Sequence, residues 1–397
     1  MKFALPTTRL GKVTSKIGSG VTPAGGDAAY VEHGVTFIRS QNVRESRLDL
    51  HDVAFITSAQ HKKMKGSVVQ GGDVLLNITG ASIGRACVVP LGVGEANVNQ
   101  HVCIVRPNDA FNAHFVSLFL NSDIGQRQID SFQGGGSREG LNYAQIASFE
   151  IPLLPRVEQD QTATALNVWE TAIYKTARLI DAKTSLLYTR RESLIARKND
   201  VARVKLSAAT HESTARNGTR MGRDAIMAVT KSEGLRPMRE ETISASIDRY
   251  KIVKPSSFAY NPMRINIGSI AMSSFKHDVL VSPDYVVFEC DPAKLIPGYL
   301  SHLRRTSLWS QFFDTAGSGG VRIRIYYADL AAFTFPLPSV AEQARVVTQL
   351  DLAALEIETL TRYVAALKTQ KRGLMQKLLT GQWRVPLSVS EESEVRA

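Results

Sequence analysis

The chain has 397 residues, of which 44% are hydrophobic, so it is long enough for roughly two or three domains and too apolar to be disordered throughout. Lys and Arg number 48 against 37 Asp and Glu, which gives a formal charge of +11 and a pI near 9.5. This surplus favours a polyanionic partner, either nucleic acid or an acidic membrane surface, although a basic balance can also serve solubility alone.

Cysteine usage and apolar runs exclude several classes of protein. Cys87, Cys103 and Cys290 stand far apart and form no Cys-x-x-Cys pair, so the sequence predicts neither a zinc site nor a disulfide framework. A reducing cytoplasm fits this pattern. We find no signal-peptide-like stretch at the N-terminus and no run of about 18 apolar residues, so we expect no membrane span.

The first part of the chain predicts strands and then one long helix. Short β-type runs broken by glycine occur at 35–38, 74–76 and 102–105, as in a mixed α/β domain. Residues 156–217 contain neither Gly nor Pro, and their apolar residues alternate between spacings of three and four, which is typical of a helix with a heptad-like seam. The seam positions are Leu166, Trp169, Ile173, Ile180 and Leu187.

The same order of elements then recurs. Residues 205–222 are small and polar and predict an exposed linker. Further β-type runs, at 279–281 and 285–288, precede a second helical pattern. This pattern lacks Gly and Pro over 339–372 and meets a glycine stop at Gly381. Its apolar positions are Leu350, Ala353, Ile357, Leu360, Val364, Leu367 and Leu374.

An internal repeat with an offset of 184 residues explains this recurrence. Residues 115–159 align without a gap on 299–343, and 11 of the last 25 positions are identical. Unrelated segments would share roughly one or two. We therefore predict an α+β protein with two mixed α/β domains, each followed by a long helix, and with the two helices paired as an antiparallel coiled coil. The alternative is two unrelated surface helices, each packed on its own domain.

No motif for bond-making chemistry emerges. The nearest phosphate-loop candidate, 80–85, has the wrong spacing and no lysine, and the eight histidines show no paired ligand spacing. Residues 261–264 lack the second proline and the aromatic of an amino-methyltransferase motif, and Pro283-Asp284 lacks the lysine of a nuclease site. We predict no catalytic residue and no metal site on this chain.

Polar, glycine-rich loops beside the strands are the remaining candidates. Arg pairs with guanine and Asn or Gln with adenine at base edges, and glycines let the backbone approach phosphates. Each loop could also be a structural turn with solvated side chains. The predicted DNA-binding residues are Arg39, Gln41, Asn42, Asn77, Thr79, Ser82, Arg85, Asn99, Gln100, Ser137 and Arg138 in the first copy and Asn261, Arg264, Asn266, Arg322 and Arg324 in the second.

Taken together, these features resemble the specificity subunit of type I restriction-modification systems over essentially the whole chain. The resemblance lies in the order of several short motifs together with the duplication. The motifs are Gly20-Val21-Thr22-Pro23, residues 72–76, residues 77–84, Asn99-Gln100-His101, the Pro-Leu and Glu-Gln entry to each helix, residues 260–269 with 282–288, and the ending 371–381.

The resemblance implies a non-catalytic, sequence-specific DNA-binding subunit. Two target-recognition domains would each read half of a bipartite asymmetric site in double-stranded DNA. Partner subunits would carry the chemistry: two adenine methyltransferases with S-adenosylmethionine, and restriction or motor subunits with ATP and magnesium. No cofactor is expected on this chain, no membrane is involved, and the protein is expected in the cytoplasm.

The expected domains follow from the resemblance and the repeat. Their limits are 1–156 for the first recognition domain, 157–204 for the first long helix, 205–338 for the linker and second recognition domain, 339–382 for the second long helix and 383–397 for a flexible acidic tail. The first parts of the two recognition domains scarcely align, which fits two different half-sites. Two other classes stay open: a stand-alone DNA methyltransferase or nuclease with an unrecognised site, and a coiled-coil adaptor that never touches DNA.

Overall fold

A computed structural model describes residues 5–23, 29–133, 140–231, 233–316 and 324–385. The chain divides into two compact units, one made of residues 1–177 with 362–397 and the other of residues 178–361.

The described part of the first unit contains two larger sheets, the two-stranded sheets β1-β11 and β4-β5, and a set of short helices. Its strands are β1 (Thr7–Arg9), β2 (Thr14–Ser19), β3 (Val35–Ile38), β4 (Val43–Arg44), β5 (Arg47–Leu48), β6 (Ala54–Ile56), β7 (Val74–Asn77), β8 (Ala86–Val88), β9 (Ala96–Val98), β10 (Val102–Pro107) and β11 (Glu150–Pro152). Its helices are α1 (Ser58–Lys63), α2 (Ala113–Asn121), α3 (Asp123–Ser131), α4 (Tyr143–Ser148) and the first part of α5 (Arg156–Arg191). The main sheet has the antiparallel order β2-β10-β7-β8, and the second sheet, β6-β3-β9, contains the parallel pair β3 and β9.

The second unit repeats this plan. Its strands are β12 (Arg203–Lys205), β13 (Thr210–Glu212), β14 (Ile226–Thr230), β15 (Gly234–Pro237), β16 (Lys251–Val253), β17 (Phe258–Tyr260), β18 (Ile270–Met272), β19 (Val279–Val281), β20 (Val286–Cys290) and β21 (Thr334–Pro336). Its helices are α6 (Pro297–Leu303), α7 (Ser307–Ala316), α8 (Tyr327–Leu330) and the first part of α9 (Val340–Leu379). The main sheet has the order β13-β20-β17-β18, and the second sheet, β15-β14-β19-β16, contains the parallel pair β14 and β19.

Each main sheet is buried on both faces, which explains the continuous apolar runs of its strands. Along β7, Val74 and Leu76 join the core beneath α2, whereas Leu75 faces the other core. Along β17, Phe258 and Ala259 divide between two cores in the same way. The predicted strands at 35–38, 74–76, 102–105 and 279–281 are confirmed.

At the same offset of 184 residues, the repeat covers more of the chain in the structure than in the sequence alignment. β7, β8 and β11 map onto β17, β18 and β21 at this offset, within one residue at each end. The backbone repeats as well, because the N–H of Leu141 donates to the carbonyl of Ile78, and that of Ile325 donates to Pro262. The duplicated unit therefore includes the loop between β7 and β8 and its counterpart between β17 and β18.

The two long helices run in opposite directions in each unit. In the first unit, Lys371 on α9 forms an ion pair with Glu170 on α5. In the second unit, Lys183 pairs with Glu356 at 2.8 Å, and Lys198, just beyond α5, pairs with Glu342. The predicted seam positions of both helices are buried or half-buried. The antiparallel direction agrees with the sequence prediction, while coiled-coil packing stays a prediction.

Two boundary expectations are wrong. The helix expected over 157–204 ends as a π-helical turn, Glu192–Ala196, so the absence of Gly and Pro does not extend it. The expected exposed linker 205–222 is part of the second unit, where Leu206 is fully buried and β13 pairs with β20. Small polar residues fit there because the backbone pairing of β13 and a few core side chains, Leu206 and Ala209 among them, hold this stretch. Residues 386–397 of the expected tail lie outside the described residues.

A buried glutamine joins each long helix to its own domain. In the first unit, the Gln159 side chain is fully buried. Its amide nitrogen donates to the carbonyls of Ala110 (3.1 Å) and Leu154 (2.8 Å), and its oxygen accepts the N–H of Asn112 (2.9 Å). These partners belong to the loop before α2 and to the entry of α5, so one side chain fixes how α5 leaves the domain.

Gln343 makes the same three bonds in the second unit. It donates to Lys294 (2.8 Å) and Pro338 (2.9 Å) and accepts from Ile296 (2.8 Å), which are the positions 184 residues beyond those of Gln159. The identical Glu-Gln pair of the sequence repeat therefore has a structural cause.

We expect Gln343→Ala to lower the free energy of unfolding by at least about 2 kcal/mol, because each buried polar group left unpaired costs about 1–3 kcal/mol. Gln370→Ala is the matched control, since Gln370 is exposed on the same helix and should change stability by less than about 0.5 kcal/mol. Chemical denaturation measures both. Equal stabilities of the two variants would contradict this role.

Candidate nucleic-acid interface

A concave surface of about 430 Å³ lies in the first unit, where the turn at residues 40–42 meets the β7–β8 loop. We call it the recognition concavity. Four residues predicted from sequence line it together: Gln41, Thr79, Ser82 and Arg85. Arg85 and Gln41 are exposed, and Thr79 and Ser82 are half-buried. The fold thus brings polar side chains from two separate segments onto one surface.

Sequence reasoning missed two cationic or titratable residues of this concavity. Arg44 lies in β4, two positions after the predicted segment, and His101 directly follows Gln100. His101 contacts the hydroxyl of Thr79 through Nδ1 at 2.6 Å. The signal available was adjacency along the chain to residues already predicted.

Glycines give the β7–β8 loop its shape. Gly80 and Gly84 have φ values of +71° and +86°, a region that favours glycine. The N–H of Gly84 donates to the carbonyl of Asn77, and the N–H of Asn77 donates to that of Arg85, both at 2.9 Å. The loop therefore closes on itself and leaves the Arg85 side chain exposed.

Three asparagines predicted to contact DNA are buried and support the loops. Asn77 is fully buried and donates to the carbonyl of Ser40 (2.9 Å) and the hydroxyl of Ser82 (3.0 Å). Asn42 is 2% exposed, and its amide bonds hold the surrounding turn. Asn99 is 8% exposed and accepts the N–H of His101. Their amide groups are largely withdrawn from solvent and hold the loops, so DNA contact by these side chains stays a prediction.

The other first-unit residues are held by neighbours but reach the surface. The guanidinium carbon of Arg39 lies 5.6 Å from the ring centroid of Tyr30. The amide of Gln41 donates to the carboxylate of Asp52 at 3.2 Å. Gln100 is exposed and accepts a hydrogen bond from Thr22.

The β17–β18 loop holds the corresponding residues of the second unit. Arg264 and Asn266 are exposed there, while Asn261 is half-buried and caps the loop by accepting the N–H of Met263 at 2.9 Å. Arg324 is also exposed, and its neighbour Ile325 bonds to Pro262 in this loop at 3.1 Å. Ser137, Arg138 and Arg322 lie outside the described residues.

A half-buried cation supports the exit of this second loop. Arg304 donates to the carbonyl of Ile270, the first residue of β18, at 2.9 Å. Burial lowers the pKa of Arg304 to about 10, so it stays charged near neutral pH. In the first unit, Asn121 donates to the carbonyl of Ala86, the first residue of β8, at 2.8 Å. The two loops are thus held at equivalent places by different side chains.

Other kinds of site were also sought in the described part of the chain. No group of three or more His, Cys, Asp or Glu side chains is arranged to hold a metal ion there. No helix within the described ranges is long and apolar enough to cross a bilayer.

Comparison with known protein families finds a match in the first part of the chain. Residues 26–181 match the family model of the type I restriction modification DNA specificity domain. This range contains the whole recognition concavity. Residues 26–181 therefore form a type I specificity domain, which confirms the family resemblance over that part of the chain. No curated protein sequence matches the chain.

Solved structures share the fold of the chain. It is similar to the S subunit of a type I restriction-modification system from M. genitalium, with 11% identity, a TM-score of 0.60 and coverage of 95% of this chain and 96% of that one. A second similar chain comes from work on complex assembly and conformational transition of the type I R-M system. It has 15% identity, a TM-score of 0.54 and coverage of 96% and 100%.

Substitutions at Arg85 and Asn77 can distinguish a side chain that contacts DNA from one that supports the loop. Arg85→Ala should leave folding intact, weaken binding to the cognate duplex by about 1–3 kcal/mol and relax preference at one base position. Asn77→Ala should lower the free energy of unfolding by about 1–3 kcal/mol, because the carbonyl and hydroxyl that it bonds lose a buried partner. Thermal unfolding and duplex titration measure the two effects. An Arg85→Ala protein with unchanged affinity and base preference would contradict the assignment.

Proposed function

We propose that this chain recognises a bipartite, asymmetric site in double-stranded DNA and directs partner adenine methyltransferase and restriction subunits to it. The observation that carries the proposal is the specificity-domain match over 26–181, since that segment contains the recognition concavity and recurs structurally in the second unit.

Asymmetry is supported by the residues at equivalent loop positions. At the 184-residue offset, Gly80 and Arg85 of the first loop correspond to Arg264 and Ser269 of the second, so the arginines stand at different places. A major-groove reader with donors in different places selects different bases. The two loops should therefore read unlike half-sites.

Catalysis is assigned to partner subunits. The sequence offers no motif for methyl transfer or strand cleavage. We place S-adenosylmethionine on two methyltransferase subunits, and ATP and magnesium on restriction or motor subunits. The repeated attachment of a long helix to each recognition domain supports two equivalent partner sites.

Methyl transfer in the presence and absence of a partner tests this function. We expect the purified chain alone to transfer no methyl group from S-adenosylmethionine to DNA and to direct adenine methylation once a type I methyltransferase subunit is added. Mapping of the modified adenines should give one motif with two defined parts separated by undefined bases.

The two alternative functions, a stand-alone enzyme and a structural adaptor, each predict a different result. Methylation or cleavage by the chain alone would indicate a stand-alone enzyme. A chain that binds no duplex, with or without partners, would indicate a structural adaptor.

A further inference from the structure

A second, larger groove adjoins the recognition concavity in the first unit. It encloses about 860 Å³ between the β4–β5 turn on one side and helices α5 and α9 on the other. Arg44 lines both this groove and the recognition concavity, so the two surfaces share a wall. We call it the basic groove, after its cations Arg44, Arg47, Lys368, Lys371 and Arg372.

Positive charge dominates the accessible surface of the basic groove. The side chains of Arg47, Arg44 and Arg372 are 43%, 51% and 70% exposed, whereas those of Glu170 and Asp123 are 19% and 28% exposed. Glu45 is the one carboxylate among the described lining residues that is as exposed as these cations, at 64%.

Ion pairs hold the carboxylates of the groove in place. Lys371 is 7% exposed and bridges Glu170 and Glu45, the latter at 3.5 Å, although Glu45 itself stays largely exposed. Arg372 binds both oxygens of Asp123 at 2.8 and 2.9 Å. Lys368 is exposed and has no ion-pair partner within the described ranges.

The turn that separates the two surfaces is fixed to both. Arg47 stacks its guanidinium 4.5 Å from the ring centroid of Tyr174 on α5. The N–H of Ser46, whose φ is +59°, donates to the carbonyl of Ala86 at the end of the β7–β8 loop. The groove therefore keeps a defined position beside the concavity.

Resting on the proposed function, we propose that the basic groove binds the phosphodiester backbone of the DNA that adjoins the first half-site, without reading its sequence. A duplex seated on the recognition concavity continues past it with one phosphate per strand about every 3.4 Å, and the basic groove is the adjoining surface with exposed cations. Lys368 and Arg372 are the contacts assigned to phosphates.

Salt dependence of binding to a random-sequence duplex of about 30 base pairs tests this. The logarithm of the binding constant falls as the logarithm of the salt concentration rises, and each lost phosphate contact makes this negative slope shallower by about 0.9. Lys368→Gln should make the slope shallower by about 0.9, and the Lys368→Gln, Arg372→Gln double variant should make it shallower by about 1.8. Between about 50 and 200 mM salt, the double variant should therefore lose about tenfold less affinity than the wild type loses.

Lys175→Gln is the matched control, because Lys175 is exposed on α5 in the same unit but does not line the groove. Its slope should equal that of the wild type. The methylated motif of the double variant should also be unchanged, since backbone contacts carry no sequence information.

Four results would overturn the proposal. They are a wild-type slope in the double variant, an equal fall in slope for Lys175→Gln, a changed motif, and loss of methyltransferase association with an unchanged slope. The last result would assign the groove to an acidic surface of the partner. A wild-type chain that binds no duplex would instead refute the proposed function itself.

Discussion

The buried glutamine at the start of each long helix is the constraint on which the rest of the structure depends. Gln159 and Gln343 each satisfy three backbone groups that would otherwise be buried without partners. A buried amide with full hydrogen bonding tolerates little displacement, because each lost bond costs the full desolvation of its partner. Each helix is thereby fixed to its own recognition domain, and the loops of that domain acquire a defined position relative to the helix.

The same scaffold then presents different chemistry in its two copies. Main sheets of equivalent order place a loop between equivalent strands, and a glycine of positive φ, Gly84 or Gly268, closes each loop. Exposed arginines occupy different positions on these loops, Arg85 in one and Arg264 in the other. Duplication therefore preserves buried residues and backbone bonds, while the exposed side chains of the two loops differ.

Prediction from sequence succeeded where burial and repetition set the pattern. The long helices, several strands and the duplication were visible because apolar spacing and identical residues survive in a single sequence. The repeat of the β7–β8 loop in the β17–β18 loop was not visible, since few identities remain there.

The sequence also could not distinguish Asn77, which is buried and supports the loop, from Arg85, which is exposed. Both are polar residues beside a strand, and only tertiary packing decides which one reaches solvent. The stretch 205–222 was misjudged for a related reason, because its few core side chains, Leu206 and Ala209, are scattered among polar residues and the backbone pairing of β13 leaves no signal in side-chain composition.

The central claim is that each recognition domain reads one half-site independently of the other. Grafting residues 10–149 in place of residues 206–333 tests it most directly. Both junctions carry the same bond, from the N–H of Leu10 to Phe149 and from that of Leu206 to Phe333, each at 2.8 Å. Mapping of adenine methylation with this chimera and its partner subunits should give a site whose two halves are the same sequence, namely the half-site of the first domain. A chimera that still methylates the asymmetric wild-type site would contradict the account.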